Sequence, residues 1–157
     1  MKFYRAEQYQ ASCEDLFLRY EREVKNLLPN ARVEHVGASS IPLAISKGNL
    51  DIFIGVESDE LEAAVQILTT LGFKEKVDTL RTSELCMLES RSSDDVAFQL
   101  VANGSEFEFF LIFRDKLRAD PSLVQQYNEL KMSCEGLSQD DYRRKKSDFI
   151  NHVLTGA

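Results

Sequence analysis

Three β-like runs follow one another almost without interruption: "FKEKVD" at 73–78, "ELCMLES" at 84–90 and "DVAFQLVA" at 95–102. The links between them are too short for the dozen or more residues that a crossover between parallel neighbours needs, so these strands require hairpins. The last run alternates Val96, Phe98 and Leu100 with Ala97, Gln99 and Val101, which is the period of a strand. Two earlier strands, "ARVEHV" at 31–36 and "LDIFIGV" at 50–56, are joined to this group through a helical segment, "DELEAAVQILTTLG" at 59–72. Helical links in one half and hairpins in the other predict an α/β chain of the α+β type, a mixed β-sheet covered by helices.

The helices are read from their apolar spacing. Residues 5–28 place Tyr9, Cys13, Leu16, Phe17, Tyr20, Val24, Leu27 and Leu28 three and four apart, an amphipathic helix ended by Pro29-Asn30. Ser58 and Asp59 offer amino-terminal caps for the next, whose Leu61, Ala64, Val65 and Leu68 share a face and which Gly72 closes. Between the first two strands, Ser40 to Ser46 has room for a helical turn or two, with Pro42 near its start. The run "SEFEFFLIFRDKLRADP" is rich enough in aromatics for a strand, but its length and the cap-like Gly104-Ser105 favour a helix. Pro121 starts another helix to about Cys134, and Ser138 with Asp141 has capping-box spacing for a last one to about Leu154. No internal repeat or low-complexity tract interrupts residues 1–157, which read as a single domain.

Composition narrows the functional classes. The chain has 157 residues, 43% of them hydrophobic, with ten Phe and only three Pro, and a chain of this length buries roughly two thirds of its unfolded surface. "MKFYRAEQYQASCEDLF" has no apolar leader region and no stretch approaches the ~20 apolar residues that cross a bilayer, so a cytoplasmic protein without a membrane partner is expected. Net charge of −7 repels a phosphate backbone in the mean and argues against nucleic acid as a partner, while leaving local basic sites open. Cys13, Cys86 and Cys134 are odd in number and far apart, which fits reduced thiols better than a disulfide framework or a metal site. Neither GxGxxG nor GxxxxGK[ST] occurs.

Chemistry concentrates in "VEHVGASSIPLAISKGNLDIFIGV" at 33–56. Gly37 lets a backbone approach closely, and Ser39 and Ser40 can donate hydroxyl hydrogen bonds while amides of a following helical turn face an anion. Taken alone, the same turn reads first as a capped strand-to-helix connection. Asp51 shifts the balance, because a carboxylate in an apolar strand is costly to bury unless paired or bound to a cation. Residues two apart in a strand share a face, so Asp51 and Phe53 point the same way. Glu34 and His35 beneath the turn suit a structural hydrogen bond or a supporting role, and the basic run "RRKK" at 143–146 suits a solvated helix face.

These residues carry a resemblance. "VEHVGASSIP" followed by Lys47 and Asp51 is similar to the GrpB family motif IEHxGSTSVPGLxAKPxIDI. "FRDKLRADP" at 113–121, "YNELK" at 127–131, and Tyr142, Lys146 and Phe149 also match the family's later motifs in order, so the likeness runs from about Arg5 to Leu154. The family is assigned to the nucleotidyltransferase superfamily, which implies a nucleotidyltransferase-like core with extra carboxyl-terminal helices. Carried over residue by residue, Gly37 with Ser39 or Ser40 matches the element that contacts nucleotide phosphates, and Asp51 the first metal-binding aspartate. The implied chemistry uses Mg²⁺ between carboxylates and a nucleoside triphosphate, with an unidentified acceptor hydroxyl attacking phosphorus. Lys47, Arg114, Arg118, Lys131 and Lys146 lie in matching segments and could converge on a phosphorylated ligand.

The departures are as specific as the matches. The second carboxylate would stand at position 53, which is Phe, and the third on a later strand, where Gln99 offers only a neutral carbonyl. Ala38, Leu43 and Gly48 stand where the family carries Thr, Gly and Pro. Three functions follow: nucleotidyl transfer with Mg²⁺ at Asp51, nucleotide or phosphorylated-ligand binding without turnover, or a protein-interaction module of the same fold. Phe53 marks either a lost carboxylate or an aromatic surface for stacking a base.

Overall fold

The computed structural model describes residues 2–156. Helix α1 (Ala6–Leu27) leads into β1 (Arg32–Val36) and β2 (Leu50–Val56), then α2 (Leu61–Thr69), β3 (Phe73–Glu75), β4 (Leu85–Ser90) and β5 (Val96–Ala102). Three helices follow, α3 (Phe109–Ala119), α4 (Pro121–Ser133) and α5 (Gln139–Thr155). The five strands form one sheet in the order β1-β2-β5-β4-β3. Only β2 and β5 run parallel, and the other three pairings are antiparallel. The mixed sheet predicted from the links is therefore present, and its parallel pair lies inside the sheet.

One face of the sheet carries the main core. Tyr9, Cys13, Tyr20 and Val24 of α1 and Leu61, Ala64, Val65 and Leu68 of α2 close over Ile52, Ile54, Phe98 and Leu100. The opposite face is covered more thinly, by Phe107 and Leu111 over Val36, Phe53, Leu85 and Val101. Beyond it α3, α4 and α5 hold together around Phe113, Tyr127 and Phe149, with the Tyr127 and Phe149 rings stacked 5.1 Å apart. Apart from Asp51 and Ala97, β2 and β5 are buried throughout, and those two lie in register beside each other. The sheet opens toward the α3–α5 layer at that row.

Two local expectations are corrected. The helical turn between β1 and β2 is a 3-10 turn at Ala38–Ser40, and Ser40 to Ser46 is not a helix. Leu43 there takes φ 69°, and Ser46 exchanges backbone hydrogen bonds with Tyr4. This irregular segment is held from α4: Asn128 Oδ1 accepts from the Ile45 amide at 2.9 Å and its Nδ2 donates to the Leu43 carbonyl at 2.9 Å. Ser58 and Asp59 lie in a 3-10 turn with no side-chain cap bond, so α2 starts without one. By contrast Ser138 Oγ accepts from the Asp141 amide at 3.1 Å, the serine half of the expected capping box. All three cysteines are free and buried, and burial pushes the Cys86 thiol up to about 12. Among the described residues no helix is long and apolar enough to cross a membrane.

Candidate functional site

The turn after β1 is braced from within. Gly37 takes φ 74° and ψ −177°, which lets the chain leave the strand directly over Asp51, where a Cβ would collide with the carboxylate. Ser40 Oγ donates to the Gly37 carbonyl at 2.6 Å, and Ser39 Oγ lies 2.7 Å from His35 Nε2. The His35 ring stacks on Phe17 of α1, and burial, then Arg118 and Arg114, lower its pKa to about 4, so it is neutral at pH 7. Arg118 Nε donates to the Ser40 carbonyl at 2.9 Å, and Arg114 binds the His35 carbonyl at 3.1 Å and the Glu34 carboxylate at 2.9 Å. Thus Ser39, Ser40, Arg114, Arg118, Glu34 and His35 are committed to holding the turn, and none of them lines the cavity beside it.

Asp51 lies on the cavity floor. Its Oδ2 accepts from Asn49 Nδ2 at 3.2 Å and its Oδ1 from Gln99 Nε2 at 3.3 Å. Burial raises the pKa of this carboxyl above the usual carboxylate value, with Lys146 opposing the rise. Strand register extends the floor as rows on one sheet face: Asp51, Ala97 and Glu89 in one, Phe53, Gln99 and Met87 in the next. Glu89 is two strands from Asp51, about 10 Å across the sheet, and pairs with Lys74 at 3.6 Å. Phe53 shares the face of Asp51 as expected but is fully buried among Val36, Leu85, Phe107 and Leu111. It is therefore unavailable as a stacking surface for a base.

The metal expectation can be tested on these donors. No group of three or more His, Cys, Asp or Glu side chains is placed to hold a metal ion among the described residues. The strand that would supply a second carboxylate supplies a sealed phenyl ring, and the neighbouring strand an amide. These residues do not fit a two-metal transfer centre, where paired ions are bridged by carboxylates.

The lining of the cavity beyond Asp51 is strongly cationic. Lys47, Lys76, Lys131, Arg143 and Lys146 all line it, and none of the five has an ion-pair partner within 4.0 Å among the described residues. Lys131 is only 2% exposed; its Nζ donates to the Ile45 carbonyl at 2.6 Å and stands 3.8 Å from the centre of the Tyr127 ring. Burial pushes its ammonium well below the ordinary lysine value, with Lys146 adding to the shift. Lys47 and Lys146 flank the Tyr142 ring at 5.6 and 6.0 Å. Burial, then Lys146, Lys76 and Arg143, lower the Lys47 pKa as well. Phe109 and Phe110, stacked 4.3 Å apart, add an aromatic side to a cavity of about 460 Å³, within the range of small-molecule sites.

Of the candidate ligand-binding residues, the structure gathers Gly37, Lys47, Asp51, Gln99, Lys131 and Lys146 around one cavity. It adds Lys76 and Arg143, which the sequence reading passed over. Arg143 had a usable signal: Gln139, Tyr142, Arg143, Lys146 and Ile150 fall on one helical face, and all line the cavity. The run 143–146 is accordingly split rather than wholly solvated, with Arg144 turned to pair with Asp141 at 2.8 Å. Lys76 continues the alternation of β3 by donating its amide to the Met87 carbonyl, a register that only strand pairing reveals.

Comparison with known proteins gives this architecture a context. The chain is 66% identical over 154 residues to a UPF0157 protein of Vibrio cholerae, covering 98% of this chain and 82% of that one. Its fold matches the crystal structure of the conserved protein GrpB from Enterococcus faecalis with a TM-score of 0.79 at 20% identity, over 99% of this chain and 98% of the other. A more distant likeness, TM-score 0.51 at 14% identity, links 73% of this chain to 39% of the Cid1 poly(U) polymerase, crystallised with MgATP. The fold is thus nucleotidyltransferase-like. Residues 5–155 match the family model described as GrpB protein, and the chain belongs to the GrpB family.

Proposed function

We propose that the chain binds a phosphorylated small molecule, a nucleotide or a compound of similar charge, in the cavity between β2, β5 and the carboxyl-terminal helices. The observation that supports this most directly is Lys131. A lysine 2% exposed, with no carboxylate within 4.0 Å among the described residues and three further lysines and an arginine on the same cavity, lacks its counter-charge there, and buried charges are ordinarily paired. A phosphate group supplies what the protein omits. Asp51, Glu89 and Asp95 also line the cavity, so it holds five cations against three carboxylates in a chain whose net charge is −7.

The family resemblance brings Mg²⁺ and nucleotidyl transfer into consideration, but the carboxylates argue against two-metal transfer. In the binding reading, Mg²⁺ enters as an ion accompanying phosphates, with Asp51 as its one carboxylate; such ions keep several waters and accept few protein ligands. The fold likeness to a polymerase crystallised with MgATP bears on architecture and leaves turnover without a site observation of its own.

Isothermal calorimetry of the purified chain with pyrophosphate and each nucleoside triphosphate, with Mg²⁺ and with EDTA, tests the proposal. Binding is expected in EDTA, weakened by salt and weakened at least tenfold in Lys131→Met. No heat with any of these ligands at millimolar concentration would overturn it. Pyrophosphate release from a triphosphate above the level of an Asp51→Ala control would replace binding by transfer.

A further inference from the structure

The floor of the cavity makes a demand that ionised phosphate oxygens cannot meet. Gln99 Oε1 is the one buried side-chain polar atom without a hydrogen-bond partner among the described residues. Its residue is 5% exposed, stands on the central strand β5 and lines the cavity. An unsatisfied buried acceptor costs about 1–3 kcal/mol, and native proteins leave few of them.

The neighbours of Gln99 fix which end of the amide is orphaned. Asp51 Oδ1 accepts from Gln99 Nε2 while Asp51 Oδ2 accepts from Asn49 Nδ2. As long as Asp51 is ionised, turning the Gln99 amide over would set two acceptors face to face. The –NH₂ is therefore held on the carboxylate and the carbonyl oxygen is left free. At the floor stands an acceptor, Gln99 Oε1, to which no side chain of the lining donates, and the same cavity holds the cationic donors Lys47, Lys131 and Lys146. Ionised phosphate oxygens satisfy the lysines and repel the glutamine carbonyl.

We infer that the ligand is bipolar: its phosphate meets the lysines, and a hydroxyl or amine of its own donates a hydrogen bond to Gln99 Oε1. Sugar phosphates, nucleotides and phosphorylated amino alcohols share this chemistry, whereas inorganic phosphate and pyrophosphate have no donor apart from a P–OH on the phosphate that the lysines hold. Gln99 is then a specificity residue, occupying with a neutral acceptor a position where the superfamily's chemistry would use a carboxylate on a metal. This inference rests on the phosphorylated-ligand reading and adds the second pole.

The test pairs ligands with and without a donor. Pyrophosphate, ribose 5-phosphate, phosphoethanolamine and adenosine 5′-monophosphate are titrated in EDTA into the unaltered chain and into Gln99→Met, which keeps the side-chain length and removes the acceptor. A urea denaturation curve on Gln99→Met confirms folding, since the variant also gives up the hydrogen bond from Nε2 to Asp51. The expected result is that at least one donor-bearing ligand loses tenfold or more in affinity in Gln99→Met while pyrophosphate changes by less than threefold; which one loses it distinguishes a hydroxyl from an amine. Equal losses for all ligands, or donor-bearing ligands that bind no more tightly than pyrophosphate, would overturn the inference and leave phosphate binding standing. If no probe binds at all, the phosphorylated-ligand reading itself fails. A Gln99→Met penalty that appears only with Mg²⁺ would put the ion on Oε1 and also overturn it.

Discussion

Gly37→Ala is expected to damage the fold and the site together, for two separable reasons. At φ 74° and ψ −177° the residue occupies a region that is essentially reserved to glycine, and holding another residue there costs about 1–3 kcal/mol. An added Cβ would also stand 3.0 Å from Asp51 Cβ and 3.1 Å from its Cγ. Asp51 has nowhere to retreat, because Asn49 and Gln99 hold both its oxygens and β2 is otherwise buried. Overpacking of this kind costs about 1–3 kcal/mol more. The sum, about 4 kcal/mol, corresponds in a chain of this size to a fall in Tm of roughly 8–16 °C. Gly72→Ala is the control: its φ is also positive, 85°, but nothing lies within 4 Å of the Cβ position. It should lose only about 1 kcal/mol. Urea denaturation followed by circular dichroism measures both, and Asp51→Ala in the Gly37→Ala background should recover about 1 kcal/mol by removing the carboxylate from the collision. Equal losses at the two glycines, or strict additivity of Gly37→Ala with Asp51→Ala, would refute the claim that closeness to Asp51 is what requires a glycine at position 37.

Other outcomes follow from the same geometry. Lys131→Met removes a buried ammonium at the expense of one hydrogen bond to Ile45; it should raise stability by about 1–3 kcal/mol while weakening pyrophosphate binding at least tenfold, read by urea midpoint and calorimetry. His35 has a folded pKa of about 4, against about 6.5 when unfolded. The unfolded chain therefore binds the extra proton between those values, and stability that is full above about pH 6.5 is lost as pH falls toward 4. The loss is at most about 3 kcal/mol, reduced by solvent at the partly exposed ring; His35→Gln should flatten the urea midpoint between pH 6.5 and 5, and an unchanged slope would count against it. Phe53→Asp, which writes in the second carboxylate of the transfer motif, should destabilise by more than about 4 kcal/mol rather than create a Mg²⁺ site, because position 53 is sealed; a folded variant with Mg²⁺-dependent pyrophosphate release would refute this.

How much of this could be read from the chain depends on the range of the interactions involved. The strand at 50–56 was legible to the residue, because its composition and its flanking glycine and acidic turn are local signals. Asp51 was legible as a site because a carboxylate amid Leu, Ile and Phe is anomalous in any strand. What motif likeness could not distinguish was a residue that faces a ligand from one that props up the residue that does. Arg114 and Arg118 lie in a matching segment just as the cavity residues Lys47, Lys131 and Lys146 lie in theirs, yet α3 directs both to the back of the Gly37 turn. Their targets are main-chain carbonyls 78 and 79 residues away, and nothing in local sequence reports them. The same holds for Lys76 and Phe53, whose roles were set by strand register and by the packing of Phe107 and Leu111.

The clasp of α4 on the loop before β2 has a kinetic meaning. The Ile45 amide hydrogen is spent on Asn128, and the Ile45 carbonyl on Lys131, one helical turn further along the same helix. Exchange of that amide with deuterated solvent requires α4 to lift, and the same movement withdraws Lys131 from the cavity. A single backbone resonance thus serves as a clock for how often the cationic wall disengages. A ligand anchored on Lys131 should slow that clock in proportion to its occupancy, even when it changes the average structure very little.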